Sequence, residues 1–96
     1  MANPIDVMTR ALVCINTDFF AADEVLNMLK ACDEVEEAFR VHGVYDIVAK
    51  IKGETTESLL DTVTRYIKRL QSVQTAHTML IIEPEKSANE KRILLA

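Results

Sequence analysis

Two histidines and one unusually placed carboxylate are the side chains in this 96-residue sequence that are best suited to bind a ligand or catalyse a reaction. His42 and His77 could act as metal ligands or acid–base groups, because imidazole titrates near neutral pH. Asp46 interrupts the apolar run "VYDIVAKIK", residues 44–52, where a carboxylate is costly unless it has a partner. Each of these groups therefore needs the fold to supply a second residue before it can bind or react.

Other patterns for covalent or phosphate chemistry are incomplete. The three serines Ser58, Ser72 and Ser87 fall in a predicted helix, a turn and the C-terminal tail. They therefore do not support a nucleophilic set with histidine and aspartate. The only two glycines, Gly43 and Gly53, are too widely separated for a phosphate-binding loop. We predict no catalytic residues, no metal site and no cofactor.

Hydrophobic periodicity predicts six elements in the order β-α-β-β-α-β. Alternating or continuous apolar runs predict strands at residues 10–17, 35–42, 44–52 and 73–83. Apolar residues at intervals of three and four predict helices at residues 20–32 and 55–70. The buried face of the first helix is predicted to contain Val25, Met28, Leu29 and Cys32. Thr55 or Thr56 is expected to cap the second helix.

The two central strands are predicted to form a hairpin around the residues that could do chemistry. Glycine is the usual residue where φ must be positive, so Gly43 predicts a tight turn at His42-Gly43-Val44. Alternation in the strand before this turn places Val35, Glu37, Phe39 and Val41 on its buried face, with Glu37 as an imperfect position. Gly53 is expected to end the strand that follows the turn.

This element order predicts an α+β, ferredoxin-like βαββαβ sandwich with an antiparallel four-stranded sheet in strand order 4-1-3-2. Both helices lie on one face. His42 and His77 then belong to opposite edges of the sheet, so one subunit cannot join them, and we interpret them as surface or interface residues. The first and last strands are apolar on both faces, which indicates burial on both sides. We therefore predict a homodimer of the dimeric α+β-barrel type, with two sheets packed face to face.

Composition restricts the partners of the domain. The net charge is −4 and the basic residues are scattered, which disfavours direct DNA binding. The sequence has no apolar run long enough to span a membrane and no signal-peptide pattern at its N-terminus. Cys14 and Cys32 lie in apolar contexts without a CxxC motif, so we interpret them as buried small residues in a reducing, cytoplasmic compartment.

The pattern as a whole resembles the effector-binding (RAM) domain of the Lrp/AsnC transcriptional regulators. The matching segments are "ALVCINT", "EVEEAFRVHGVYDIVAKIK" and "LLDTVTRYIKRLQSVQTAHTMLIIE", and the most specific piece is V-x-G-x-Y-D at residues 41–46. The family commonly has Thr at position 42, Pro-Gly at positions 19 and 20, and Thr-x-Thr in the last strand, where this chain has Ala76-His77-Thr78. The resemblance predicts an N-terminal extension at 1–9, the RAM domain at 10–83 and a tail at 84–96. It also implies that the helix-turn-helix DNA-binding domain usual in the family is missing.

The resemblance implies a non-enzymatic module that binds a free amino acid between dimers and modulates transcription without binding DNA itself. Backbone N–H groups around Gly43 would hold the α-carboxylate, and Asp46 would bind the α-ammonium. The expected ligand-binding residues are His42, Gly43, Val44, Tyr45, Asp46, Thr75, His77, Thr78 and Met79. The implied assembly is an octamer-like ring of about four dimers, which could incorporate full-length Lrp/AsnC regulators.

Two alternatives compete with this interpretation. Asp46 could instead accept hydrogen bonds from amides of its own hairpin, as carboxylates near turns often do. The same dimeric fold also supports small monooxygenases and isomerases, whose sites lie in a cleft between helices and sheet. That class would be favoured by a roomy cavity within one subunit that contains His77. The sequence fills the helix–sheet seam with leucine, valine and isoleucine instead, which disfavours an enzyme.

Overall fold

The computed structural model describes residues 7–82. Most of the predicted N-terminal extension (residues 1–6) and the whole predicted tail (84–96) lie outside the described residues. The strands are β1 (Thr9–Thr17), β2 (Val35–Arg40), β3 (Ile47–Gly53) and β4 (Val73–Leu80). The helices are α1 (Ala22–Lys30) and α2 (Thr56–Arg65), and a short 3₁₀ helix (Ile67–Arg69) follows α2. Within the described part of the chain, no helix is both long and apolar enough to cross a membrane.

The four strands form one antiparallel sheet in the order β2-β3-β1-β4, which confirms the predicted order 4-1-3-2. β1 lies in the middle, with Val13 opposite Ala49 of β3 and Thr78 of β4. Because directly opposed residues share a face of the sheet, this register fixes which side chains meet the helices. The ferredoxin-like α+β fold is thus established by chain order and pairing together.

The hydrophobic core lies between the two helices and one face of this sheet. Alternate residues of the two central strands are fully buried, and α1 and α2 add the next layer. The buried strand residues are Ala11, Val13 and Ile15 of β1 and Ile47, Ala49 and Ile51 of β3. The large side chains of this core that are at most 3% exposed are Val13, Ile15, Val25, Leu29, Ile47, Ile51, Leu59, Val63 and Ile67. Each contributes about 1.5–3 kcal/mol to stability by leaving water. We call the opposite side, which the helices do not cover, the open face of the sheet.

The first helix is shorter than its periodicity predicts. Phe20 has a φ of 66°, which is incompatible with a right-handed helix, so α1 begins only at Ala22. At the other end Cys32 follows the helix and is half-buried, while Met28 is 41% exposed. The prediction that Met28 belongs to the buried face was therefore wrong. Cys14, by contrast, is buried as expected.

The strand β2 contains an irregularity that reverses its predicted faces. Val35 pairs with Ile51, but the register shifts before Glu37, so the next buried residue is Ala38. A single extra residue in one strand changes which side chains point inward. Phe39 consequently lies on the open face, opposite Val48, and is 50% exposed. The prediction that Phe39 faces the core was wrong for this reason.

The hairpin between β2 and β3 is present, but its turn is wider than predicted. The connection spans residues 41–46, and the N–H of Val41 donates to the carbonyl of Asp46 at 3.0 Å. Neither glycine of the described chain has a positive φ, so the predicted left-handed turn at Gly43 was wrong. Gly53 does end β3, as predicted. A Cβ there would lie 2.8 Å from the Ser58 hydroxyl and 3.2 Å from the backbone nitrogen of Leu59.

Candidate functional site

The hairpin connection presents an open backbone surface. His42, Gly43 and Val44 are all exposed, and Val44 is 83% exposed. A Cβ added at Gly43 would have no heavy atom within 4 Å. Together with Arg40, Val41 and Asp46, the turn residues His42 and Gly43 line a cavity of about 450 Å³, which we call the hairpin cavity. The connection therefore has room for a small molecule to approach its amides.

Asp46 joins the end of β1 to the beginning of β3. Its Oδ2 accepts the backbone N–H of Thr17 at 2.8 Å, and its own N–H donates to the carbonyl of Ile15 at 2.9 Å. The carboxylate thus bonds an amide of β1 rather than an amide of its own hairpin, which is the alternative considered from the sequence. One carboxylate oxygen is occupied in this way, and the side chain borders two cavities.

The predicted residues of the last strand are divided by the sheet. His77 and Met79 lie opposite Cys14 and Leu12 on the open face, whereas Thr78 lies opposite Val13 on the helix side. The hydroxyl of Thr75 accepts a hydrogen bond from the Asn16 amide at 3.2 Å. Met79 is 51% exposed. Within one subunit, therefore, Thr78 does not share a surface with the other three.

One direct contact links the hairpin to the last strand within a single subunit. The Tyr45 hydroxyl and Nδ1 of His77 are 3.0 Å apart, and the two rings meet edge to face with centroids separated by 5.8 Å. Sequence periodicity does not predict this contact, because the two residues are 32 positions apart in the chain. His77 and Tyr45 are therefore hydrogen-bond partners of each other on an exposed surface.

A second cavity, of about 420 Å³, lies on the other side of Asp46. We call it the loop cavity, because it is bordered by the β1–α1 connection. Its lining residues are Thr17, Asp18, Phe19, Phe20, Ala22, Asp23, Arg40 and Asp46. Phe19 and Phe20 are 87% and 95% exposed, and their rings are in contact with centroids 4.7 Å apart.

Arg40 lines both cavities and was not singled out from the sequence. Its Nη1 forms an ion pair with Oδ1 of Asp23 at 2.9 Å, across the gap between β2 and α1. The signal that could have identified it is its position, because it is a cation directly before V-x-G-x-Y-D, six positions before Asp46. Its approach to Asp23 depends on how α1 packs on the sheet, which sequence periodicity does not specify.

A family model described as the Lrp/AsnC ligand binding domain matches residues 10–90 of the chain. This match covers most of the sequence, including every element of the fold. The chain belongs to this family. Among curated proteins, none matches the sequence.

Solved structures support the same fold for this Lrp/AsnC domain. FFRP-DM1 is 31% identical with a TM-score of 0.75, and the alignment covers 77% of this chain and 99% of FFRP-DM1. AsnC of E. coli is 20% identical with a TM-score of 0.75, covering 86% of this chain and 61% of AsnC. The transcriptional regulator NMB0573 of Neisseria meningitidis, solved as a complex with L-Met, is 15% identical with a TM-score of 0.73. That alignment covers 90% of this chain and 60% of NMB0573.

The perturbed titratable groups of this Lrp/AsnC domain lie away from the two cavities. The hydrogen bonds that Arg10 donates to both carboxylate oxygens of Glu36, at 2.8 and 2.9 Å, lower the pKa of Glu36. Burial raises the pKa of Cys32, and the hydrogen bond that its thiol donates to Glu34 raises it further. Burial also raises the pKa of Tyr66, whose hydroxyl donates to the carbonyl of Met28. These shifts favour the ionised form of Glu36 and the protonated forms of Cys32 and Tyr66.

Proposed function

We propose that this domain is a non-enzymatic effector-binding module that binds a free amino acid and modulates Lrp/AsnC-type transcription without contacting DNA itself. The observation that carries the proposal is the match of residues 10–90 to the ligand-binding domain of this regulator family. A fold relative, the regulator NMB0573, was solved in complex with L-Met, which supports an amino acid as the class of ligand.

With one exception, the proposed binding residues are those expected from the sequence. Amides around Gly43 receive the α-carboxylate, since no side chain blocks the approach, and Asp46 binds the α-ammonium with the carboxylate oxygen that Thr17 leaves free. Tyr45 and His77 form a hydrogen-bonded pair beside the hairpin. Thr75 and Met79 of a neighbouring subunit complete the lining, because β4 is an edge strand that another dimer can approach. Thr78 is left out of the proposed lining, because it points to the opposite face of β4.

The proposed assembly begins with a homodimer formed through the open face. Phe39 and Met79 of that face are 50% and 51% exposed, and Leu12 and Val48 between them are half-buried. Such a surface is stabilised by pairing with a second copy. Dimers then assemble into a ring of about four, and full-length Lrp/AsnC regulators can join it. A ligand bound between dimers stabilises the ring to the extent that its affinity for the ring exceeds its affinity for the separate dimers.

Isothermal titration calorimetry with the twenty amino acids tests the ligand. We expect at least one to bind, and Asp46→Asn to weaken it about tenfold to a hundredfold, since a charge-assisted bond contributes about 1.5–3 kcal/mol. Asparagine keeps an oxygen that can accept the Thr17 amide, so the variant removes charge without removing the link to β1. Asp61→Asn, on the exposed side of α2, is the matched control. Absence of heat with every amino acid at millimolar concentration would refute the proposal.

Sedimentation velocity tests the assembly independently of the ligand. We expect dimers or larger species at micromolar concentration, and a shift to smaller species in Phe39→Glu, which places a charge on the open face. A well-folded wild-type monomer under these conditions would contradict the proposed dimer. No specific observation favours an enzyme, because the helix–sheet seam is filled by side chains that are at most 3% exposed, such as Leu29, Leu59 and Val63.

A further inference from the structure

We infer that the amino acid bound by this domain has a large apolar side chain, and that Arg40, Phe19 and Phe20 select it through the loop cavity. This inference rests on the proposed function and adds the ligand class and three residues to it. None of the three belongs to the hairpin turn or to the last strand.

The first step concerns the charged groups around Asp46. Arg40 and Asp46 carry opposite charges and line both the hairpin cavity and the loop cavity. Among the described residues only Nη1 of Arg40 has a hydrogen-bond partner, Asp23, while a guanidinium has five N–H donors. Nε and Nη2 therefore remain able to bind a carboxylate. A zwitterionic head group can then place one carboxylate oxygen on Arg40 and the other on the amides around Gly43, with its ammonium on Asp46.

The second step concerns the direction of the ligand side chain. Besides the shared Arg40 and Asp46, the hairpin cavity is lined by Val41, His42 and Gly43. The loop cavity instead adds the carboxylates of Asp18 and Asp23 and the exposed rings of Phe19 and Phe20. These rings offer a flat apolar surface that an alkyl, thioether or aryl group can cover. The loop cavity, at about 420 Å³, lies at the small end of the roughly 300–1,000 Å³ typical of ligand sites.

The third step concerns the conformation that presents the rings. Phe20 has a φ of 66°, a region that bulky residues rarely adopt. The loop is held there by the carbonyl of Asp18, which accepts the N–H of Ala21, and by the N–H of Asp18, which donates to the carbonyl of Ser72. Two aromatic rings held nearly fully exposed beside a charged pair are best explained by a ligand that covers them.

Calorimetric selectivity tests the inference. For the wild type we expect leucine, methionine or phenylalanine to bind about tenfold or more tightly than glycine or aspartate, as apolar pockets discriminate by side-chain size. Phe20→Gly should reduce this preference about tenfold, because it removes one of the two rings that the ligand side chain covers. The variant is compatible with the backbone, because glycine adopts a positive φ readily. Leu60→Ala, an apolar truncation on the exposed side of α2, is the matched control and should change nothing.

Ligand analogues test Arg40 separately. Leucine should bind more tightly than 3-methylbutylamine, which lacks the carboxylate, and Arg40→Gln should reduce that preference about tenfold. Arg65→Gln is the matched control, because Arg65 forms a comparable exposed ion pair with Asp61 at 2.9 Å on α2. A merely structural role for Arg40 would lower the affinity for both compounds equally.

The outcomes separate this inference from the proposed function. If the wild type binds an amino acid but prefers a small or charged one, or if Phe20→Gly and Arg40→Gln retain wild-type selectivity, the inference is wrong and the proposed function stands. If the wild type binds no amino acid, the proposed function is refuted and the inference with it. Amino-acid binding by the wild type together with reduced selectivity in the two variants supports both.

Discussion

The two connections that lead from a strand into a helix are built in opposite ways. After β3, the side chain of Thr55 accepts the N–H of Ser58 at 3.0 Å and caps α2. Before it, Gly53 allows the backbone to pass so close to Ser58 and Leu59 that a Cβ would be too near. This connection follows the usual rules for ending a strand and starting a helix.

The connection after β1 departs from those rules. The residue before α1 is Ala21, which has no side-chain hydrogen bond to the helix, and Phe20 adopts a left-handed φ. Its two phenylalanines are almost fully exposed beside Asp46 and Arg40. Local rules are commonly broken at functional sites and satisfied elsewhere. The difference between the connections therefore accords with the proposed ligand site on the β1–α1 side of the fold.

The largest expected effect comes from breaking the well-built connection. Gly53→Ala should lower the free energy of unfolding by about 1–3 kcal/mol, because the new Cβ would lie 3.2 Å from the backbone nitrogen of Leu59. Urea unfolding followed by circular dichroism at a fixed protein concentration measures this change. Gly43→Ala is the control, since nothing lies within 4 Å and its φ is not positive. Equal effects at the two glycines would show that the close packing at Gly53 does not matter.

The cap of α2 should give the next largest effect. Thr55→Ala removes the acceptor of the Ser58 N–H and should cost about 1 kcal/mol of stability, as lost N-caps typically do. Thr56→Ala, one residue inside the helix, is the control and should change stability by a few tenths of a kcal/mol at most. A larger loss of stability in Thr56→Ala than in Thr55→Ala would contradict the assignment of Thr55 as the N-cap. The same urea titration measures both variants.

The comparison also explains which features were accessible from sequence. The strand order and a threonine cap for α2 follow from periodicity and local chemistry, and the structure agrees, with Thr55 rather than Thr56 as the cap. The face of Phe39 did not follow, because the irregularity before Glu37 leaves an alternating pattern that is equally consistent with either side. Likewise, nothing in two consecutive phenylalanines signals a positive φ.

The candidate site was accessible only in part for a related reason. The hairpin residues could be named from V-x-G-x-Y-D, since they are contiguous in sequence. The pairing of Tyr45 with His77 and of Arg40 with Asp23 depends on how separate elements pack together, which hydrophobic periodicity does not determine. Contacts of this kind require the three-dimensional fold.

Relieving the strained connection should produce a smaller change of opposite sign. Phe20→Gly should raise the free energy of unfolding by about 0.5–1 kcal/mol, because the roughly 1–2 kcal/mol penalty of a left-handed residue exceeds the extra chain entropy of glycine. Ser72 also has a positive φ, of 77°, so Ser72→Gly is the control that measures the relief of backbone strain without the loss of an aromatic ring. A clear loss of stability in Phe20→Gly but not in Ser72→Gly would mean that the Phe20 ring is packed in the assembled protein.

The smallest expected effect is the pH-dependent stabilisation by the ion pair at the start of β1, at the opposite end of the strand from the candidate site. Arg10 binds Glu36 through two hydrogen bonds and lowers the pKa of Glu36 below its ordinary value of 4.5. A carboxyl whose pKa is lower in the folded state stabilises the protein above its unfolded pKa, and this contribution is lost as pH falls through the folded pKa. Glu36→Gln should therefore cost about 0.2–1 kcal/mol at pH 7, the range typical of exposed ion pairs. The gap from wild type should narrow as pH falls below 4.5 in urea titrations. The exposed Glu54→Gln serves as the control, and a gap that is independent of pH would mean that Glu36 acts through packing rather than charge.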